Sequence, residues 1–181
     1  MKHKRFYILG IIGLVMMSLA PSPVKAAGPN LNGPYYATAS GDQTLPVNTR
    51  FIVLSDMDNV AVLDKETGLV WERSPSTSGF YLDRAQNHCD TLTVGNRKGW
   101  RLPTLQELAS LVDRSVHSPG PTLPPGHPFI NVQISSFYLS DETISGSASG
   151  MRFSNGLVAV DCDTLSYFVW CVRGGQGVDP Q

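Results

Sequence analysis

Arg101 sits in the stretch "GWRLPTLQELASLVDRS", residues 99–115. Its guanidinium could fork onto a carboxylate or a sulfate and act as an anion clamp. Arg97 and Lys98, just upstream, form the best local basic patch and stand as candidate ligand contacts; a solvated turn is their plainer role. Thr104 and Glu107 spell a T-x-x-E capping box, which already explains the neighbourhood in structural terms. Arg101 and Glu107 are therefore expected to be structural, with Arg101 holding a carboxylate such as Glu107, or backbone carbonyls, at a strand–helix junction.

The other reactive residue types do not assemble into a catalytic pattern. "DMDN" at 56–59 begins like a calcium loop, but Val60 takes the next ligand position and the loop glycine is missing. "GSASG" at 146–150 imitates a nucleophile elbow with Ala148 where serine is required. His88, His117 and His127 lack zinc-ligand spacing, and no phosphate-cradling glycine loop occurs. No catalytic residue, metal or cofactor is expected, and a non-enzyme is the reading. Trp71 and Trp170 lie in alternating apolar strands and belong to a core, whereas Trp100 lies beside a turn. Tyr138, next to Phe137 at the start of a loop-rich sheet, is the candidate exposed aromatic.

The elements that must position these residues follow from pattern. "RFIVL" reads as a strand, and "NVAVLDKETGLVWER" as two strands joined by a turn at 65–68 with Gly68 supplying the positive φ. Leu82, Ala85, Cys89 and Leu92 recur at helical spacing on one face. A second helix starts after Thr104, with Leu105, Leu108, Ala109 and Val112 as its buried stripe. Residues 115–128 hold five of the 13 prolines and read as a long surface loop. The last third is β: "SSFYLSDETI", a hairpin turning at Asn155-Gly156, and a closing "SYFVWCVRGG" whose two alternating sets are both apolar, the mark of a central strand. The sum is one α+β domain with two helices set between hairpins.

Bulk properties bound the class. Residues 1–26 read as a signal peptide, with Lys2, Lys4 and Arg5 before an apolar run too short for a membrane span, and cleavage after Ala26. Residues 27–49 read as an extended arm, 50–175 as the domain and 176–181 as a tail. The leader holds four of the 14 bases and none of the 15 acids, so the mature chain keeps ten bases against fifteen acids, a net charge of −5. Such a chain is poorly suited to binding nucleic acid, heparin-like chains or anionic membranes by bulk electrostatics, which leaves only a local basic patch to do so. A periplasmic or secreted bacterial location is expected, with no membrane span after cleavage. There the three cysteines should give one disulfide and one spare thiol. Cys89–Cys171 and Cys162–Cys171 are both open, Cys162 otherwise reading as a small buried hydrophobe beside Val158 and Val160.

"DKETGLVWER", the helix bearing Cys89, "GWRLPTLQELASLVD", "FYLSDET", "GMRFSNGLV" and "YFVWCVRGG" occur in that order. Together they resemble the bacterial Lcl C-terminal domain family over about residues 50–175. The resemblance implies a C-type-lectin-like architecture, with small antiparallel sheets and long loops, and a helix-to-last-strand disulfide, Cys89–Cys171. It also implies binding rather than catalysis, since members include surface adhesins and the namesake's domain is associated with sulfated glycans. Asp141-Glu142 and Asp161-x-Asp163 would then fall where C-type lectins bind calcium and sugar, although the Glu-Pro-Asn and Trp-Asn-Asp motifs are absent. The expected partner is a glycan or a surface protein, met on the loops by Tyr138, Asp141, Glu142 and Asn155, with Arg97 and Lys98. The competing reading is a periplasmic structural or protein-interaction domain.

Overall fold

The computed structural model describes residues 45–161 and 165–174. The leader, most of the arm, Cys162 and the tail lie outside them. A five-stranded antiparallel sheet is built from β1 (Phe51–Val53), β2 (Ala61–Asp64), β3 (Leu69–Glu72), β4 (Trp100–Arg101) and β8 (Val172–Arg173), in the order β1-β2-β3-β8-β4. A second sheet, β5-β6-β7, is formed by β5 (Tyr138–Ile144), β6 (Ser147–Arg152) and β7 (Leu157–Asp161). Three helices complete the α+β fold: α1 (Val47–Arg50), α2 (Leu82–Thr91) and α3 (Leu105–Ser110).

Both faces of the large sheet are covered, so β2 and β3 are buried at every position instead of alternating. Ala61, Leu63 and Val70 face a cluster that α2 closes with Ala85 and Cys89. Val62, Leu69 and Trp71 face the opposite cluster, closed by Leu108 and Leu111 together with Leu123 of the proline-rich segment and Phe129 just after it. Trp170 is the hub of that second cluster, with ring centroids 5.6 Å from Trp71, 4.9 Å from Phe129, 5.4 Å from Tyr138 and 5.5 Å from Phe153. Each such aromatic contact contributes about 0.5–1.5 kcal/mol beyond its area burial. Trp100, at 1% exposure, is also core and donates its indole N–H to the Arg97 carbonyl at 3.0 Å.

The closing segment differs from the long strand expected of it. Only Val172 and Arg173 join the ladder between β3 and β4, while Tyr167 and Phe168 make single bridges to Phe80 and Tyr138. The segment thus stitches the two sheets together. Val169, Trp170, Cys171 and Val172 are all fully buried, which explains the unbroken apolar run. Cys171 is bonded to Cys89 across 82 residues, tying α2 to the strand entrance. α3 buries Glu107, Leu108 and Ser110, with Leu111 and Val112 buried just past its end; its inward side is rotated away from the expected stripe, so Leu105 is half-buried and Ala109 exposed.

The start of the domain is held by a charge cluster that apolar patterning does not reveal. Arg50, only 1% exposed, donates from Nε and Nη2 to both oxygens of Asp64 at 2.9 and 2.7 Å, and from Nη2 to the Ser110 carbonyl at 2.7 Å. Its Nη1 lies 3.1 Å from Glu66 Oε2, an ion contact without hydrogen-bond alignment. This arginine joins β1, the β2–β3 turn and the end of α3. A buried cation needs such saturation, because desolvation otherwise outweighs the Coulombic gain.

Candidate functional site

At the loop end of the molecule, the chain leaving α3 runs beside the β6–β7 hairpin. Asp113 N–H donates to the Thr122 carbonyl at 2.8 Å, and Thr122 N–H donates to the Phe153 carbonyl at 2.8 Å. Thr122 Oγ1 donates to the same carbonyl at 3.1 Å. The proline-rich segment is therefore anchored rather than loose: Thr122, Leu123 and Pro124 are buried, which corrects its reading as surface loop throughout. The hairpin turn is fixed by Gly156 N–H donating to the Arg152 carbonyl at 2.8 Å, with Gly156 at φ +68° where a side chain would be strained.

Between these segments lies a cleft of about 330 Å³, walled by Asp113, Arg114 and His117 on one side and Asn155, Gly156 and Leu157 on the other. Asp113 Oδ1 is engaged by Ser115, whose N–H and hydroxyl donate at 2.8 and 2.7 Å. Asn155 Oδ1 accepts from Leu157 N–H at 3.2 Å, which orients the amide and leaves its NH₂ as a donor. The cleft thus offers an acid, a guanidinium, an imidazole and an amide around an apolar Leu157 wall. These side chains could exchange hydrogen bonds with a polar ligand.

Of the six sequence-predicted contact residues, Asn155 alone lines this cleft. Tyr138, expected to be an exposed aromatic, is 0% exposed. Its ring packs among Phe153, Phe168 and Trp170, and its hydroxyl accepts from Gln133 N–H at 2.7 Å, with burial pushing its pKa up to about 12. The β5 strand begins inside the core, so its first residues face inward rather than toward the loops. Phe137 is buried for the same reason and stacks on Tyr167 at 4.1 Å.

Asp141 and Glu142 sit in an irregularity of β5, where the register with β6 shifts between Leu139 and Thr143. That irregularity turns them to α3: Asp141 N–H donates to the Pro103 carbonyl at 2.9 Å, and Glu142 Oε1 accepts from Leu105 N–H at 3.3 Å. Burial raises the Asp141 pKa, opposed by the nearby Arg101 charge. Arg97 and Lys98 are exposed, and their backbone carbonyls serve Trp100 and Arg173. Arg101 grips Glu107 with two hydrogen bonds, 2.8 and 2.6 Å, and also donates to the Gly174 carbonyl at 2.9 Å. The capping box is complete, with Thr104 N–H donating to Glu107 Oε2 at 2.8 Å and Glu107 N–H donating to Thr104 Oγ1 at 3.1 Å.

Arg114 and His117, which give the cleft its guanidinium and imidazole, are not among the ligand contacts named from the sequence, where His117 figures only as a residue without zinc-ligand spacing. Their only signal was their place between a helix end and a proline cluster. The strand face of Val158 and Val160 is also corrected: the two are 53% and 48% exposed, so a buried environment does not follow for Cys162, which lies outside the described residues. Among the described residues no group of three or more His, Cys, Asp or Glu could hold a metal, and no helix is long and apolar enough to cross a membrane.

The model of the family described as the Lcl C-terminal domain matches residues 60–173. Nothing among curated proteins or solved structures matches the chain.

Proposed function

The chain belongs to the Lcl C-terminal domain family, and from that premise we propose that it is an exported, non-catalytic binding module that recognises a glycan in adhesion. The observation that carries this reading is the cleft between residues 112–118 and the Asn155–Leu157 tip, with Arg114, His117, Asp113 and the Asn155 amide converging on it. Sugar hydroxyls pair with amide and carboxylate groups, and Arg114 would meet a sulfate or uronate carboxylate by bidentate hydrogen bonding. A C-type-lectin-like arrangement is supported by the early and final strands meeting in one sheet, with a smaller sheet and long connections beside it. Export is supported by the Cys89–Cys171 disulfide, which is compatible with an extracellular location.

The test is a glycan array and host-matrix binding assay on the full chain after leader removal, repeated with Arg114→Ala and Asn155→Ala. Binding at micromolar protein that drops at least tenfold in either variant is expected. No hit on any glycan at that concentration would sink the reading. The exposed Leu157, Val158 and Val160 favour a second reading, a protein-docking domain; a pull-down from the native periplasm that survives Arg114→Ala and is lost on a charge at Val158 would select it.

A further inference from the structure

The tip of the β6–β7 hairpin carries Asn155 followed by Gly156. Among the described residues this is the only asparagine that precedes a glycine; Asn48, Asn59, Asn87, Asn96 and Asn131 all precede residues that carry a side chain. Asn155 is exposed, so water reaches its amide. Its Oδ1 accepts from Leu157 N–H at 3.2 Å, an Asx turn that folds the side chain back over the Gly156 peptide. The same donor polarises the amide carbonyl and stabilises negative charge developing on that oxygen. Gly156 has no Cβ to hinder an approach to its nitrogen. What restrains that nitrogen is its hydrogen bond to the Arg152 carbonyl at 2.8 Å, so reaction waits on opening of the turn.

We propose that Asn155 is a site of spontaneous deamidation, which converts the cleft's amide into a carboxylate as the protein ages. When the turn opens, the Gly156 nitrogen gives its proton to hydroxide, and the freed electron pair bonds to Asn155 Cγ. The Cγ–Nδ2 bond breaks, and Nδ2 takes a proton from water and leaves as ammonia. Water then adds to either carbonyl of the five-membered imide. Opening at Cγ gives aspartate, whereas opening at the main-chain carbonyl gives isoaspartate, with one more atom in the backbone. Nothing is oxidised or reduced, and water and hydroxide are the only co-reactants. Aspartate keeps an oxygen for Leu157 N–H, so the turn survives. The NH₂ donor is lost, however, and a negative charge appears in the cleft that also holds Asp113. Isoaspartate lengthens the chain beside the Arg152–Leu157 pair that closes the hairpin, and loosens that closure.

The test holds the full chain, after leader removal, at pH 8 and physiological temperature for several weeks. Peptide mass mapping with isoaspartyl methyltransferase labelling then follows each asparagine. Asn155 should convert roughly tenfold or more faster than any other described asparagine, with isoaspartate among the products. Asn155→Gln keeps an amide but would have to close a larger ring, so the tip of that variant should stay unmodified. An Asn155 that stays intact over that time would overturn the proposal. So would a rate shared by the other described asparagines, or conversion without isoaspartate, the mark of direct hydrolysis instead of the imide. These readouts involve no ligand, so they are separate from the outcome of the glycan assay. The consequence for binding does rest on that reading: the aged acidic fraction, isolated by anion exchange, and Asn155→Asp should lose glycan binding alike.

Discussion

Glu72 is the residue whose environment is most at odds with its chemistry. It is 6% exposed at the end of β3, and one carboxylate oxygen accepts from Cys171 N–H at 2.8 Å beside the disulfide. Burial lifts its pKa from 4.5 to about 7, and the single backbone donor only partly opposes that. The folded protein therefore holds a proton between about pH 4.5 and 7 that the unfolded chain has released. Stability from this group is full below pH 4.5 and declines as pH rises to about 7, by roughly 3 kcal/mol in total. His88 and His127, both lowered by burial, act in the opposite sense, losing stability as pH falls. The clean readout is thus a difference. Glu72→Gln keeps an acceptor for Cys171 N–H, so its urea-unfolding free energy should exceed the wild type at pH 8 by more than it does at pH 4.5. A pH-independent difference would show that the carboxyl does not titrate in the fold as described.

At the level of elements, α3 illustrates how local chemistry compensates for little length. Six residues make a marginal helix on propensity alone. The reciprocal capping box and the Arg101 fork on Glu107 supply what the helix cannot. Thr104→Ala should cost about 1 kcal/mol by denaturant unfolding. Glu107→Ala should cost more, roughly 2 kcal/mol, because it also strands the Arg101 guanidinium; equal losses would mean that the ion pair contributes nothing. This helix start was legible in the sequence because a capping box is a short-range signal, and so were the α2 face and the β2–β3 turn. Ala109 was misplaced because the packing around Glu107 and Leu108 turns a different side of this short helix inward than apolar spacing alone suggests. Tyr138 was misplaced because strand alternation does not show which end of β5 enters the core. The cleft was least legible: Arg114 and His117 reach Asn155 only because Thr122 pairs with Phe153, a contact between segments some thirty residues apart.

For the whole molecule, the question is what keeps two sheets and two core clusters acting as one body. The 165–174 segment is the shared piece: it bridges β5 through Phe168, enters the large sheet at Val172, and contributes Val169 to one cluster and Trp170 to the other. The Cys89–Cys171 bond fixes that segment to α2 and closes a loop of 82 residues. On the chain-entropy model such a closure stabilises by roughly 4 kcal/mol, a large share of the 5–15 kcal/mol typical of a domain. Removing one cysteine would leave its partner free to pair with Cys162, so the informative variant is the double Cys89→Ala/Cys171→Ala. Its melting temperature should fall by roughly 8–16 °C, at about 2–4 °C per kcal/mol for a chain of this size. The wild type in reductant should melt at nearly the same lowered temperature, since both states lack the same constraint. Loss of both core clusters in a single transition, followed by near-UV dichroism of the Trp71–Trp170 pair alongside far-UV signal, would show that the closing segment couples them. Two separated transitions in the double variant would show instead that the disulfide, and not the shared packing of Val169 and Trp170, makes the domain one cooperative unit.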